Sequence, residues 1–294
     1  MSGPSSGVAR VVDIHNHLIP GVDDGARDAD EARAGLEAMI AGGVLGLVVT
    51  PHLDASLGRR PARLEERLAE IDAGWAALTR VAATLPRAPR LERGAEVKLD
   101  TPEPDLSDPR TRLAGGRFAL VEFPYFNVPP RSETVLEALR RQDVTPVIAH
   151  PERYRGLRDQ LETVATWRAA GAYLQVNGAS LVGRYGAEAR TTALLLLRRG
   201  WADYVSSDYH ARGRTEIESY RAILLELGGE ERTDRLLYAN AARLLEGEPP
   251  LPVPALPLRR GFWERIAGAF RRSQRPDQTP RGRASAPRST HSRK

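Results

Sequence analysis

Seven times along the chain a short apolar run gives way to a longer amphipathic stretch, and that alternation leaves few folds open. The runs cover residues 11–15, 44–50, 90–97, 118–123, 145–149, 173–176 and 201–205. Residues 44–50 are almost continuously apolar, the pattern of a strand buried on both faces. Between the runs the spacing predicts helices. Residues 28–41 have Asp28 as a cap, Leu36, Met39 and Ile40 as an apolar stripe, and Gly42-Gly43 as a stop. Residues 61–85 carry Leu64, Leu68, Ile71, Trp75 and Leu78 on one face, which reads as core. Further helices are expected over 132–142, 159–170, 187–199, 216–227 and 232–245. Strand–helix alternation with short loops predicts an α/β fold, and seven units favour a parallel (β/α) barrel over an open sheet.

The histidines fall on this frame in a telling way. The chain has six of them. His291 is remote, but His15, His17, His52, His150 and His210 each stand at the C-terminal end of an expected strand. So do Glu96, Glu122 and Asp208. His15 and His17 are two apart, so on a strand both leave the same face. HxH alone is as consistent with an ordinary histidine pair as with a metal site. In a parallel barrel, however, every strand's C-terminal end lies on one rim, where barrel enzymes build their sites. The donors are imidazole and carboxylate without sulfur, which suits Mn²⁺, Fe²⁺, Zn²⁺ or another borderline divalent ion. So many donors exceed the needs of one ion and imply two or three. Such clusters activate water near neutral pH and clamp in-line displacement at phosphorus. Arg153, three residues beyond His150, can grip phosphate oxygens bidentately. Of Asp23 and Asp24, one can ligate while the other binds backbone N–H groups.

Composition removes several alternatives. There is no cysteine, which excludes disulfides, thiolate zinc sites and cysteine nucleophiles. No apolar run approaches a membrane span and residues 1–10 contain no signal-peptide core, so a cytoplasmic location is expected. The net charge of +5 hints at nucleic acid, but residues 258–294 alone hold eleven Arg or Lys against Glu264 and Asp277. The remainder is slightly acidic, as in an ordinary soluble enzyme, and no nucleic-acid partner is expected.

Several segments together resemble a known family. They are Asp13-Ile14-His15-Asn16-His17-Leu18-Ile19-Pro20-Gly21-Val22-Asp23-Asp24-Gly25, Thr50-Pro51-His52, Gly94-Ala95-Glu96-Val97, Val121-Glu122-Phe123-Pro124, Ile148-Ala149-His150-Pro151-Glu152-Arg153 and Ser207-Asp208-Tyr209-His210. In this order, over residues 11–247, the chain is similar to the polymerase-and-histidinol-phosphatase (PHP) domain. The Pro-Gly-Val-Asp-Asp-Gly and His-Pro-Glu-Arg segments resemble the branch of metal-dependent protein-tyrosine phosphatases from bacterial capsule and exopolysaccharide gene clusters. The resemblance implies a distorted, TIM-like (β/α)7 barrel as a single domain. It implies three ions: one held by His15, His17, Glu96 and Asp208, a second by Glu96, Glu122 and His150, a third by Asp24, His52 and His210. Mn²⁺ is the ion usual in the family, with Fe, Zn, Co or Ni as substitutes. It gives Arg153 the role of binding phosphate and leaves Asp208, His210 or a bound water to protonate the leaving group. The implied substrate is the phosphotyrosine tail of a membrane-bound bacterial tyrosine kinase. Tyr209 departs from the pattern, standing where a small residue is common, which narrows the mouth.

Outside the expected barrel (10–247), residues 1–9 are expected to be flexible and 248–258 to form a proline-rich linker. Residues 259–272 place Trp263, Ile266, Ala267 and Phe270 on one helical face flanked by arginines, a pattern suited to anionic lipid or to docking on the chain's own barrel. Residues 273–294 read as a disordered basic tail. The competing readings are a phosphatase for a small ester such as histidinol phosphate or for a nucleic-acid phosphodiester, and a non-catalytic scaffold. The complete donor set argues against the last.

Overall fold

Among the described residues all the strand pairing is parallel. The computed structural model describes residues 10–256. The described residues form nine strands, most of them separated by helices: β1 (Val11–Asp13), β2 (Val44–Val49), β3 (His52–Asp54), β4 (Arg90–Arg93), β5 (Glu96–Lys98), β6 (Phe118–Glu122), β7 (Thr145–Ala149), β8 (Tyr173–Asn177) and β9 (Tyr204–Ser206). One sheet has the order β1-β2-β4 and the other β3-β5-β6-β7-β8-β9. Nine strands stand where seven runs were expected because the run over 90–97 is broken in mid-course and a further three-residue strand, β3, follows the run over 44–50. Thr50-Pro51 separates β2 from β3, at a proline with no N–H to donate. Gly94-Ala95 separates β4 from β5. Backbone bonds span both breaks: Gly94 N–H donates to the Val49 carbonyl at 2.9 Å and Glu96 N–H to that of Pro51 at 3.0 Å. At the other edge His17 N–H donates to the Tyr209 carbonyl (2.9 Å) and Asp208 N–H to that of His15 (2.8 Å).

The helices are α1 (Ala29–Ala41), α2 (Pro61–Ala82), α3 (Ser132–Arg140), α4 (Leu161–Ala169), α5 (Gly178–Leu181), α6 (Gly186–Arg199), α7 (Ile217–Asp234) and α8 (Asn240–Leu245). The cap of α1 is as expected, with Asp28 accepting from the N–H groups of Asp30 and Glu31. The last two helices run further together than their sequence suggests. Gly229, at φ +72°, interrupts α7, and a π-helical turn, Arg235–Ala239, joins it to α8. Val12, Val48, Phe118, Leu120, Val147, Ala149 and Tyr204, from five strands, form one buried cluster with Ile14 and with Ala241 and Leu244 of α8. Phe118, Leu120 and Glu122 alternate along β6, so the face that feeds this core also presents Glu122 at its C-terminal end.

Residues 249–256 contain no helix or strand but are tied back to the helices. Asn240 exchanges bonds with the Leu251 backbone at 2.8 and 3.1 Å, and Leu256 N–H donates to the Arg198 carbonyl at 2.9 Å. The expected flexible N-terminus (1–9), the basic amphipathic helix (259–272) and the basic tail (273–294) lie outside the described residues. Among the described residues no helix is long and apolar enough to cross a membrane.

One glycine links packing to the site. Gly178 opens α5 directly after β8, and a Cβ there would lie 2.3 Å from the buried Tyr220 ring. Gly178→Ala is expected to cost about 1–3 kcal/mol by overpacking, read as a lower urea midpoint at unchanged slope.

Candidate metal centre

Short strands that stop while the chain continues in irregular backbone deliver the donors. His15 and His17 follow β1, His52 and Glu96 open β3 and β5, Glu122 closes β6, His150 follows β7, and Asp208 and His210 follow β9. Two of these turns are held in the left-handed region: His150 has φ +32° and Asp208 φ +51°. Non-glycine residues rarely adopt it, at a cost of about 1–3 kcal/mol each, and such strain gathers at functional sites. Gly25 is needed for a different reason. A Cβ there would lie 2.0 Å from the His17 carbonyl oxygen, so only glycine lets the Asp23–Asp24 turn fold against His17.

All nine expected donors come together. Among the described residues four overlapping sets have donor atoms within 4.8 Å of one another: His15, His17 and Glu96; His15, His150 and Asp208; His52, Glu96 and Glu122; His17, Asp24, His52 and His210. Glu96 is at the centre. Its Oε1 lies 2.9 Å from His150 Nε2. Its Oε2 lies 3.3 Å from His15 Nε2, 3.4 Å from His17 Nε2 and 3.0 Å from His52 Nδ1. Asp208 Oδ1 faces the same His15 and His17 nitrogens at 3.3 and 3.4 Å, while its Oδ2 accepts from Arg153 Nη1 at 2.8 Å. His15, His17, Glu96, His150 and Asp208 are buried. The mouth opens at His52, His210 and Asp24, whose side chain is 67 % exposed.

The donor set fits divalent cations. His15 Nδ1–H donates to Gln175 Oε1 at 2.9 Å and His17 Nδ1–H to Asp23 Oδ2 at 2.8 Å. Each ring's Nε2 is therefore left free to face the cluster, and the two Nε2 atoms are 3.4 Å apart. Glu96 Oε2, though buried, has no hydrogen-bond partner. Buried anions need a partner, and here imidazoles take up protons to supply one. Burial lowers the His15 pKa, but Glu96 and Asp208 overcome it and hold it at about 9. His17 is likewise held well above its usual range against burial, by Asp208, Asp23 and Glu96. Glu96 and Asp208 sit below the ordinary carboxylate range despite burial, held there by the imidazoles around them. Glu122 is pushed up to about 7 by burial and by Glu96. Cations in this space would replace those protons.

The supporting residues were missed at the level of sequence. Asp13 accepts from the N–H of His15 (3.1 Å) and of Ser207 (2.7 Å), tying the two chain segments that carry His15 and Asp208. Gln175 also accepts from His150 N–H at 3.3 Å. Asn177 Nδ2 donates to Asp208 Oδ2 at 3.0 Å. Glu152 accepts from Asn177 N–H (3.0 Å) and Ser180 Oγ (2.6 Å), bracing the end of β8. A signal existed: the run over 173–176, which holds Gln175 and leads into Asn177, was the one run with no acid or histidine assigned to it. Asp23 takes the backbone-binding alternative left open for the aspartate pair, accepting from Gly25 N–H at 3.0 Å and His52 N–H at 3.2 Å.

The chain is similar to known proteins. The tyrosine-protein phosphatase YwqE of Bacillus subtilis is 27 % identical over 256 residues, 85 % of this chain and 97 % of that protein. The tyrosine-protein phosphatase CpsB of Streptococcus pneumoniae is 28 % identical over 207 residues, 68 % of this chain and 83 % of that one. A solved structure from work on YwqE of B. subtilis and CpsB of S. pneumoniae, described as unique metal-dependent tyrosine phosphatases, matches with TM-score 0.65 at 25 % identity, over 85 % of this chain and 100 % of that one. The family model described as capsular polysaccharide synthesis, CpsB/CapC, matches residues 11–246. Together with the parallel α/β fold and the histidine–carboxylate cluster, this match over most of the chain shows that the protein belongs to the CpsB/CapC family of capsular polysaccharide synthesis.

Proposed function

We propose that the protein is a metal-dependent protein-tyrosine phosphatase acting in capsule or exopolysaccharide synthesis. The observation that carries this reading is the convergence of nine imidazole and carboxylate donors beside a fixed guanidinium, Arg153, at 2.8 Å from Asp208. In this reading His15, His17, Glu96 and Asp208 hold one ion, Glu96, Glu122 and His150 a second, and Asp24, His52 and His210 a third. Mn²⁺ is the proposed ion, with Fe, Zn, Co or Ni as substitutes. When bound, such ions supply an activated water and neutralise charge on the phosphoryl oxygens.

The chain's own residues do the rest. Arg153 presents its remaining N–H groups to the phosphoryl oxygens, anchored through Asp208 so that the fork is already oriented. Asp208 is in turn fixed by Asn177. Proton delivery to the leaving phenolate falls to Asp208, His210 or a bound water, and Asp208, held ionised by the imidazoles around it, stands behind the other two. The demand is small, since an unperturbed phenol has a pKa of about 10. Burial and the neighbouring His17 hold His210 below the usual imidazole range. Its Nδ1–H donates to the Asp208 carbonyl at 2.9 Å, which leaves Nε2 toward the mouth.

The same reading takes residues 10–247 as a distorted TIM-like (β/α)7 barrel, supported by the backbone bonds that join the two sheets at both edges. It takes the protein as cytoplasmic and its substrate as the phosphotyrosine tail of a membrane-bound tyrosine kinase, with residues 259–272 as a peripheral membrane contact. A substrate panel tests it. Turnover of a phosphotyrosine peptide should exceed that of histidinol phosphate and of a nucleic-acid phosphodiester by orders of magnitude. Preference for either of the other two would reject the reading.

A further inference from the structure

The loop after β6 has features that phosphoryl chemistry alone leaves unused. Tyr125 is 85 % exposed, the most exposed large hydrophobic side chain among the described residues. It and Phe126 both stand at positive φ, +57° and +52°. Neither residue is of a type that visits this region easily, and each costs about 1–2 kcal/mol there. The loop begins two residues after Glu122, and Arg155 N–H donates to the Phe126 carbonyl at 2.9 Å. That bond pins the strained turn to the segment carrying Arg153.

The rings converge on Arg153. The Phe126 ring centroid lies 4.4 Å from its guanidinium carbon and that of Tyr185, just ahead of α6, lies 4.3 Å away. Phe126 also packs edge-on to His150 at 5.6 Å. Tyr185 lines a small cavity of about 70 Å³ with Asp208, Tyr209 and His210. The guanidinium is thus flanked by two aromatic rings, an arrangement that fixes its plane through cation–π contact. Tyr125, next in chain to Phe126, is left uncovered.

We propose that Tyr125, Phe126 and Tyr185 form an aromatic collar around Arg153 that receives the aryl group of the substrate and makes the site selective for aryl over alkyl phosphate esters. The proposal rests on the phosphatase reading and names the residues that set its specificity. With the phosphoryl group on Arg153, the ester oxygen points outward and an aryl ester places its ring directly against the collar. An alkyl ester places only a flexible chain there. Phe126 and Tyr185 hold the guanidinium, and Tyr125 offers the open face.

Binding of phosphonates tests this without turnover, because their carbon–phosphorus bond is not hydrolysed. The Mn²⁺-loaded full chain should bind phenylphosphonate more tightly than methylphosphonate. Tyr125→Ala should reduce that preference about threefold to tenfold, chiefly through weaker phenylphosphonate binding, and Tyr125→Phe should restore it. Equal affinities in the parent protein, a parallel loss for both ligands in Tyr125→Ala, or no change in that variant would overturn the collar. The phosphatase reading fails separately: a protein that prefers phenylphosphonate yet turns over no phosphotyrosine peptide would reject the activity and leave the collar standing.

Discussion

Glu96→Gln should lower turnover of a phosphotyrosine peptide by about a thousandfold or more at saturating Mn²⁺. Glu96 is where the cluster meets: one oxygen is 2.9 Å from His150, and the other lies within 3.4 Å of three further imidazole nitrogens. Glutamine keeps the volume, so the core around it need not move. It removes the charge and turns an N–H group toward nitrogens that must present lone pairs. The metal-free fold should survive, because His15 can release the proton that Glu96 and Asp208 hold on it. Thermal unfolding separates the two effects. A ligand at a hundred times its dissociation constant stabilises by about 2.7 kcal/mol, so Mn²⁺ should raise the midpoint of the parent protein and do so far less in the variant. Turnover within about tenfold of the parent would remove Glu96 from the centre of the site.

Arg153→Lys is expected to be nearly as damaging, a loss of about a hundredfold to a thousandfold in kcat/KM, the scale seen when one oriented transition-state donor is removed. Charge is conserved in this change, but the fork is not. Arg153 uses one Nη to hold Asp208 at 2.8 Å while its guanidinium lies 4.4 Å from Phe126 and 4.3 Å from Tyr185. A lysine ammonium cannot stack in that space and donate in two fixed directions. Steady-state kinetics should show kcat falling as well as KM rising, since the donors act on charge that grows in the transition state. An effect confined to KM would make Arg153 a binding residue only.

Much of this site was legible in the sequence because parallel strands expose their C-terminal ends together. Once His15, His52, His150 and His210 were each placed at the end of a run, their meeting followed from topology rather than from any single motif. The strand count was less legible. Gly94 interrupts hydrogen bonding within a run that remains continuous in hydropathy, so β4–β5 read as a single strand, while β3 lies beyond Pro51 and the end of the run over 44–50, with only Leu53 as an apolar residue to mark it. Helix ends moved inward by a few residues where no strong cap marks them, as at Ala82 of α2. The second layer of the site stayed hidden for a different reason. Asp13, Gln175, Asn177 and Glu152 act through hydrogen bonds to partners up to 194 residues away, and no local pattern reports such a bond. Phe126 and Tyr185 look like ordinary apolar residues until the fold brings Arg153 between them.

The most direct measurement of the central claim is turnover of a phosphotyrosine peptide by the full chain before and after removal of divalent metal with a chelator, followed by addition of Mn²⁺. The cluster requires that stripped protein be inactive and that Mn²⁺ restore the activity. Undiminished turnover by metal-free protein would contradict it.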